Sequence, residues 1–301
     1  MGQSKSLLYP YLKEVKTIPP KSPIINALKS MVNIGFRRVP VVDPEIQKIM
    51  GIITATDLLN FLGGGEKSKI ILDKYEGNYF KAINEKVEEV MTRNPICINE
   101  NGYVEDAIEI LIKKNIGGCP IVDDENRVVG MFTERDALTF LILQRKLDGY
   151  VKGYANFNLI TITPDTSVKE ALNVIISKKI RRLPIVENKT IKGVLVTMDF
   201  LKYFSKNVFG DLQTGDINEI LNKSVREVFI DSPFEIKHRK LLIFKDDDKI
   251  LDVVKKMIET NKGFALVIKN DRLEGIITER DIVKFIYQMI KGEEDVVKLY
   301  F

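Results

Sequence analysis

A seven-residue pattern, Gly-x-x-Thr-x-x-Asp or a close variant, recurs four times in this chain: Gly51 to Asp57, Gly130 to Asp136, Gly193 to Asp199 and Gly275 to Asp281. The aspartates are 79, 63 and 82 residues apart, so the 301 residues divide into four copies of one small unit. Internal repetition of this kind constrains the fold more than composition does, because each copy must adopt the same local structure and bury its apolar face against another copy.

The repeat extends upstream of that anchor. Arg37-Arg38-Val39-Pro40-Val41-Val42-Asp43 aligns with Gly117-Gly118-Cys119-Pro120-Ile121-Val122-Asp123, with Arg181-Arg182-Leu183-Pro184-Ile185-Val186-Glu187, and with Gly263-Phe264-Ala265-Leu266-Val267-Ile268-Lys269, where the proline is lost. Before this block, apolar residues at Ile24, Ala27, Leu28, Met31 and Val32 have helical spacing. Counterparts run from about 104 to 114, 168 to 178 and 250 to 260. The apolar runs Val39–Val42, Cys119–Val122, Leu183–Val186 and Ala265–Ile268 are bounded by polar turns and predict buried strands, each in a hairpin with the segment that ends in the Gly-x-x-Thr motif. A second helix follows at 54–62, 133–146, 198–204 and 278–291. The unit is therefore strand, helix, strand, strand, helix, an α+β arrangement.

One such unit of roughly 60 ordered residues is marginal alone and should pair with a neighbour. Long spacers follow copies one and three, whereas the junction after copy two is short, from Asp148 to Gly153. That asymmetry divides the chain into residues 1–148, with copies at about 10–62 and 87–146, and residues 149–301, with copies at about 151–204 and 225–291.

Composition supplies exclusions. With 45% hydrophobic and 29% charged residues this is a globular composition, and no apolar run approaches the roughly 20 residues that a membrane helix needs. A cytoplasmic location is expected. Two cysteines, Cys97 and Cys119, and one histidine, His238, argue against a disulfide framework and a protein-built zinc site. A net charge of +4 does not by itself call for nucleic acid.

The chemistry lies at the start of the second helix. Thr54 and Asp57, Thr133 and Asp136, and Thr278 and Asp281 occupy N-cap and N3 positions, where free amides and the helix dipole favour an acceptor or an anion. Threonine with an acid three residues later also resembles a capping box, a local device with no ligand. The third copy keeps Asp199 but has Val196 at the threonine position, which favours a carboxylate that accepts two hydrogen bonds from a vicinal diol such as a ribose. Arg37-Arg38 and Arg181-Arg182 precede buried strands and suit bidentate phosphate contact, and Arg135 and Arg280 add to the same field. The run Lys237-His238-Arg239-Lys240 is expected to be an exposed loop, and after that a phosphate contact.

These blocks resemble the cystathionine β-synthase (CBS) domain, and the likeness covers nearly the whole chain. The resemblance implies four CBS repeats paired into two Bateman modules, with clefts for AMP, ADP, ATP, NAD(H) or S-adenosylmethionine. Four copies in one chain are similar to the regulatory γ subunit of AMP-activated protein kinase. Carried onto this sequence, the resemblance makes Asp57, Asp136, Asp199 and Asp281 ribose ligands, Thr54, Thr133 and Thr278 nearby polar contacts, and Arg37, Arg38, Arg181 and Arg182 phosphate ligands. Copies two and four lack the arginine pair, so one nucleotide per module is expected, and Val196 makes the Asp199 site the weakest. The implied role is a non-catalytic adenine-nucleotide sensor that acts on a separate target protein or a second copy of itself, as in a homodimer. An interaction scaffold with empty clefts and a nucleic-acid binder are the alternatives. Neither a nucleophile–base pair nor a phosphate-binding glycine loop is present to support an enzyme.

Overall fold

The computed structural model describes residues 6–144, 147–231, 240–270 and 272–291. Lys237, His238 and Arg239 of the basic run lie outside them, and Lys240 is exposed.

The first helix of each copy has its apolar positions on one face: Ile24–Ile34, Val104–Lys113, Val168–Ser177 and Ile250–Glu259. In the first of these Ile24, Ala27, Leu28, Met31 and Val32 are buried, the i, i+3, i+4, i+7 stripe of a helix with one wet side. It stops at Gly35, whose left-handed φ of 84° lets its amide bond back to the Met31 carbonyl. The copy-three helix starts on a full capping box between Ser167 and Glu170.

An antiparallel hairpin follows in every copy: β1 (Arg38–Val42) with β2 (Ile49–Thr54), β4 (Gly118–Val122) with β5 (Val128–Thr133), β6 (Arg182–Glu187) with β7 (Thr190–Val196), and β8 (Phe264–Lys269) with β9 (Arg272–Thr278). All four carry a bulge at the equivalent place, beside the pairs Val41–Gly51, Ile121–Gly130, Ile185–Gly193 and Val267–Gly275. The glycine that begins each motif thus sits next to a bulge, and in three copies a second reason is visible. A Cβ on Gly51 would lie 2.5 Å from the Met91 sulfur, on Gly130 2.6 Å from the Tyr11 carbonyl oxygen, and on Gly275 3.1 Å from the Phe157 ring. Met91, Tyr11 and Phe157 belong to the opening segment of a different copy.

Those contacts show how the copies pair. The opening strand of copy two, β3 (Thr92–Arg93), adds to the β2 edge of copy one, with Gly51 opposite Arg93 and Ile52 opposite Thr92. In return Leu12 bridges to Gly130, and in the other half Asn156 bridges to Ile276. Copies one and two therefore exchange opening segments, and the opening of copy three lies on copy four. The apolar cores join the copies the other way. One buried cluster combines copies one and three, from Ile24 and Leu58 to Leu172 and Phe200, and a second combines copies two and four, from Val104 and Leu138 to Val253 and Ile282.

The spacers after copies one and three are folded parts of the first cluster. Tyr79 is fully buried, and its hydroxyl donates to the Phe204 carbonyl at 2.7 Å; Asn78 bridges to Asp216, and Ile217 and Ile220 are buried nearby. Every copy thus has two neighbours, one through its sheet and one through its helices, and the starts of the second helices are brought toward a common centre. No helix among the described residues is long and apolar enough to cross a membrane.

Candidate functional site

The second helices begin at Ala55, Glu134, Thr197 and Glu279, each one residue after its hairpin ends. At Thr54 the capping box is complete: the Thr54 amide and hydroxyl donate to Asp57 Oδ2 at 2.8 and 2.6 Å, and the Asp57 amide donates to the threonine oxygen at 3.1 Å. Asp136 Oδ2 accepts from Thr133 at 2.9 and 2.5 Å, and Asp281 Oδ2 accepts from Thr278 at 2.9 and 2.7 Å. Each aspartate thus spends one carboxylate oxygen on its own helix start.

The other oxygen distinguishes the copies. Asp57 Oδ1 accepts from Lys67 Nζ at 2.5 Å and from the Thr92 hydroxyl at 3.3 Å. Asp136 and Asp281 have no partner for Oδ1 among the described residues. Burial holds the Asp281 carboxyl above its usual range, in spite of the Thr278 hydrogen bonds and the Arg182 and Arg280 charges that oppose it. Tyr11 stands beside Asp136; its phenol is pushed up by burial and then by that carboxylate. Asp199 is 1% exposed, and its Oδ2 accepts the Val196 amide at 2.8 Å. This is the half of a capping box that needs no threonine side chain.

The arginines converge. Gly117 and Gly263 stand where copies one and three have Arg37 and Arg181, and the space they leave is filled from the other copies. A Cβ on Gly117 would lie 2.0 Å from an Arg38 nitrogen and 2.6 Å from an Arg181 nitrogen; on Gly263 it would lie 2.8 Å from an Arg182 nitrogen. Arg182 donates to the Gly263 carbonyl at 2.6 Å and lies over the Phe264 ring, 5.3 Å from its centroid.

Two buried glutamates that the sequence reading passed over complete the cluster. Glu134 (6% exposed) pairs with Arg181 at 2.8 Å and with Arg280, while Glu279 (2%) pairs with Arg135. Arg280 also donates to Asn115 at 2.5 Å. The pairing is reciprocal, because the Glu-Arg of copy two meets the Glu-Arg of copy four. Their signal in the sequence is the Thr-Glu-Arg-Asp tetrapeptide, present at 133–136 and 278–281 and absent from the other copies.

Six guanidiniums therefore gather around two glutamates, which pair with three of them, Arg135, Arg181 and Arg280. Burial alone would push the Glu134 carboxyl up, but Arg181 and then Arg280 outweigh it and bring it to about 2. Arg38 and Arg182 are lowered to about 9, first by their removal from water and next by the charge of Arg181. Guanidinium keeps its proton at neutral pH, so these depressions reflect the cost of burying its charge, increased by the neighbouring arginines, which a bound anion would offset. Among the described residues Arg37 and Arg38 have no carboxylate partner.

A cleft of about 590 Å³ leads to this cluster from the interface of copies one and two. Its walls include Thr54 and Asp57 on one side, Thr92, Asn94, Pro95 and Ile96 on the other, and Arg37, Arg38, Arg181 and Arg280 at the charged end. A mostly apolar slot with a basic end and a few placed oxygens suits a planar base joined to a phosphate through a polyhydroxyl linker. No group of side chains able to hold a metal ion occurs among the described residues. The Cys119 thiol is buried and pushed up to about 12, and that of half-buried Cys97 to about 11, both first by burial, which leaves them poor nucleophiles.

Comparison with known proteins agrees with this architecture. The CBS domain family matches residues 11–64, 87–143, 151–206 and 234–288. The uncharacterized protein MJ1225 of Methanocaldococcus jannaschii is 34% identical over 275 residues, which span 91% of this chain and 95% of that protein. Its crystal structure, described as that of a candidate archaeal homologue of γ-AMPK, superposes with a TM-score of 0.83. An uncharacterized 33.4 kDa protein of Thermofilum pendens is 27% identical over 92% of this chain and 89% of its own length. A conserved uncharacterized protein of Pyrococcus horikoshii, 17% identical over 92% of this chain and 97% of that one, shares the fold with a TM-score of 0.55. The chain belongs to the CBS domain family and carries four CBS domains in sequence.

Proposed function

We propose that this protein is a non-catalytic sensor that binds an adenine nucleotide (AMP, ADP or ATP) in the clefts between paired CBS domains, with the phosphates directed into the arginine cluster. The observation that carries this reading is the surplus of guanidinium over carboxylate at the charged end of the cleft, where Arg37 and Arg38 have no ion-pair partner among the described residues. Asp136 and Asp281, each with one oxygen uncommitted among the described residues, would take the ribose hydroxyls, and the arginines would take phosphate in bidentate fashion. The extended likeness to MJ1225, described as a candidate γ-AMPK homologue, supports the same reading. NAD(H) and S-adenosylmethionine share the adenosine group and belong in the ligand screen.

No catalytic role is assigned to any residue. Ligand in the centre would change the relative placement of copies that meet there, and a separate protein or a second copy of this chain would respond through its different affinity for the two arrangements. The reading is tested by calorimetric titration of the full chain with each nucleotide. Binding is expected, with a marked loss on Asp281→Ala or Asp136→Ala. A scaffold with empty clefts would instead show no heat and no thermal shift, whereas a ligand at 100 times its dissociation constant should add about 2.7 kcal/mol.

A further inference from the structure

The segment after the second helix of copy one behaves unlike its counterparts in copies two and four. There the helices continue, Glu134–Gln144 and Glu279–Lys291, and carry the chain away from the aspartate along the helix axis at about 1.5 Å per residue. In copy one the regular helix ends at Leu59, and the chain turns back through Gly63, Gly64 and Gly65. Gly63 has a φ of 130°, open only to glycine. A Cβ on Gly64 would be 2.7 Å from Ile176 and 3.1 Å from the Leu172 carbonyl, both on the first helix of copy three.

This turn delivers Lys67 to Asp57. The Lys67 amide is fixed by Asn60 Oδ1 at 2.7 Å, and the Ser68 hydroxyl closes onto the Gly65 carbonyl at 2.7 Å. From there the ammonium reaches both Asp57 Oδ1 and the Val90 carbonyl at 2.5 Å. With Thr54 on Oδ2 and Thr92 also on Oδ1, the Asp57 carboxylate has its acceptor positions largely spent. Asp57 is also 8% exposed, although it lines the 590 Å³ cleft.

We infer that Lys67 occupies the position a ribose diol would take on Asp57, so the cleft between copies one and two holds its nucleotide by phosphate and base and does not select for the sugar hydroxyls. This rests on the nucleotide reading of the clefts and names the specificity of one of them. Lys67 is then the specificity-determining residue: with it in place the cleft accepts deoxyribonucleotides as readily as ribonucleotides, and without it Asp57 can grip the diol.

The test uses the full chain carrying Asp136→Ala and Asp281→Ala, so that the copy-one cleft is the one read. AMP and 2′-deoxy-AMP are titrated into this protein and into the same protein with Lys67→Met or Lys67→Arg. The ratio of the two affinities should be near one with Lys67 and with K67R, and should rise roughly tenfold in favour of AMP with K67M, the size of a hydrogen bond to a charged group. A merely structural role for Lys67 would change both affinities together and leave the ratio alone. The inference is overturned if the parent already prefers AMP about tenfold, or if both nucleotides bind K67M with an unchanged ratio. If neither nucleotide binds any of the three proteins, the nucleotide reading of this cleft fails first and takes the inference with it.

Discussion

Copies one and three differ from copies two and four in complementary ways. The first pair carries two adjacent arginines before its hairpin and a helix start with no acid or base between cap and aspartate, Ala55-Thr56 and Thr197-Met198. The second pair has glycine at the first of those arginine positions and Glu-Arg at the helix start. Seen copy by copy, the second pair looks as though it has lost its phosphate ligands. In three dimensions its glycines make room for the arginines of the first pair, and Glu134 holds Arg181 in place. The four repeats thus form one composite basic centre in place of four equal sites, and divergence between copies is how the centre is assembled.

The largest effect that can break this comparison is expected at Gly117. Gly117→Leu would drive a side chain into the space of the Arg38 and Arg181 guanidiniums, a change that should cost about 1–3 kcal/mol of stability as overpacking does and abolish nucleotide binding. Thermal melts and calorimetry would read both. The same exchange at Gly153, where nothing lies within 4 Å of a would-be Cβ, should leave binding intact. Comparable nucleotide affinity in the Gly117 variant would mean that the arginines do not need that space.

A smaller and sharper contrast lies between two aspartates of the same motif. Asp281→Ala should lower AMP affinity by roughly tenfold or more, since a charge-assisted contact is lost. Asp199→Ala should leave that affinity within twofold or so and cost about 1 kcal/mol of fold stability, as loss of a helix cap does. The reverse assignment would show that the buried cap at Asp199 opens to ligand.

The smallest expected effect is on acid stability. Glu134 has a folded value of about 2, below the ordinary carboxylate value of 4.5. A depressed folded value contributes stability that is fully present above about pH 4.5 and is lost as the pH falls toward 2. In Glu134→Gln the melting temperature should therefore vary less across that window than in the parent. An unchanged slope in the Glu134 variant would place its arginine partners elsewhere.

Much of this was legible in the sequence, because the repeated elements depend on local signals. Apolar periodicity located the first helices, and polar turns with a motif glycine located the hairpins. The capping geometry of Thr54 and Asp57 was legible too, as one of two readings left open. What could not be read were contacts made across copies. Arg135 and Glu279 are 144 positions apart, and Arg181 and Glu134 are 47 apart, distances over which no spacing rule operates. The duplicated Thr-Glu-Arg-Asp was a usable clue, since a charged pair repeated in only two copies suggests that those two copies meet. The spacer after copy one was legible only as a length of chain, yet its glycines allow close packing and Lys67 is aimed inward. At Asp199 the motif carboxylate accepts a backbone amide, a local role that the motif by itself does not separate from ligand contact.

The central claim, that arginines from different copies together form one receptor for nucleotide phosphate, is tested most directly by calorimetric titration of AMP, ADP and ATP into the parent and into Arg181→Ala. The account expects at least one of the three to bind the parent and expects that binding to be lost, or weakened at least tenfold, in Arg181→Ala, a residue of copy three that lines the cleft of copies one and two. Nucleotide heats that are absent from the parent, or that are the same in both proteins, would contradict it.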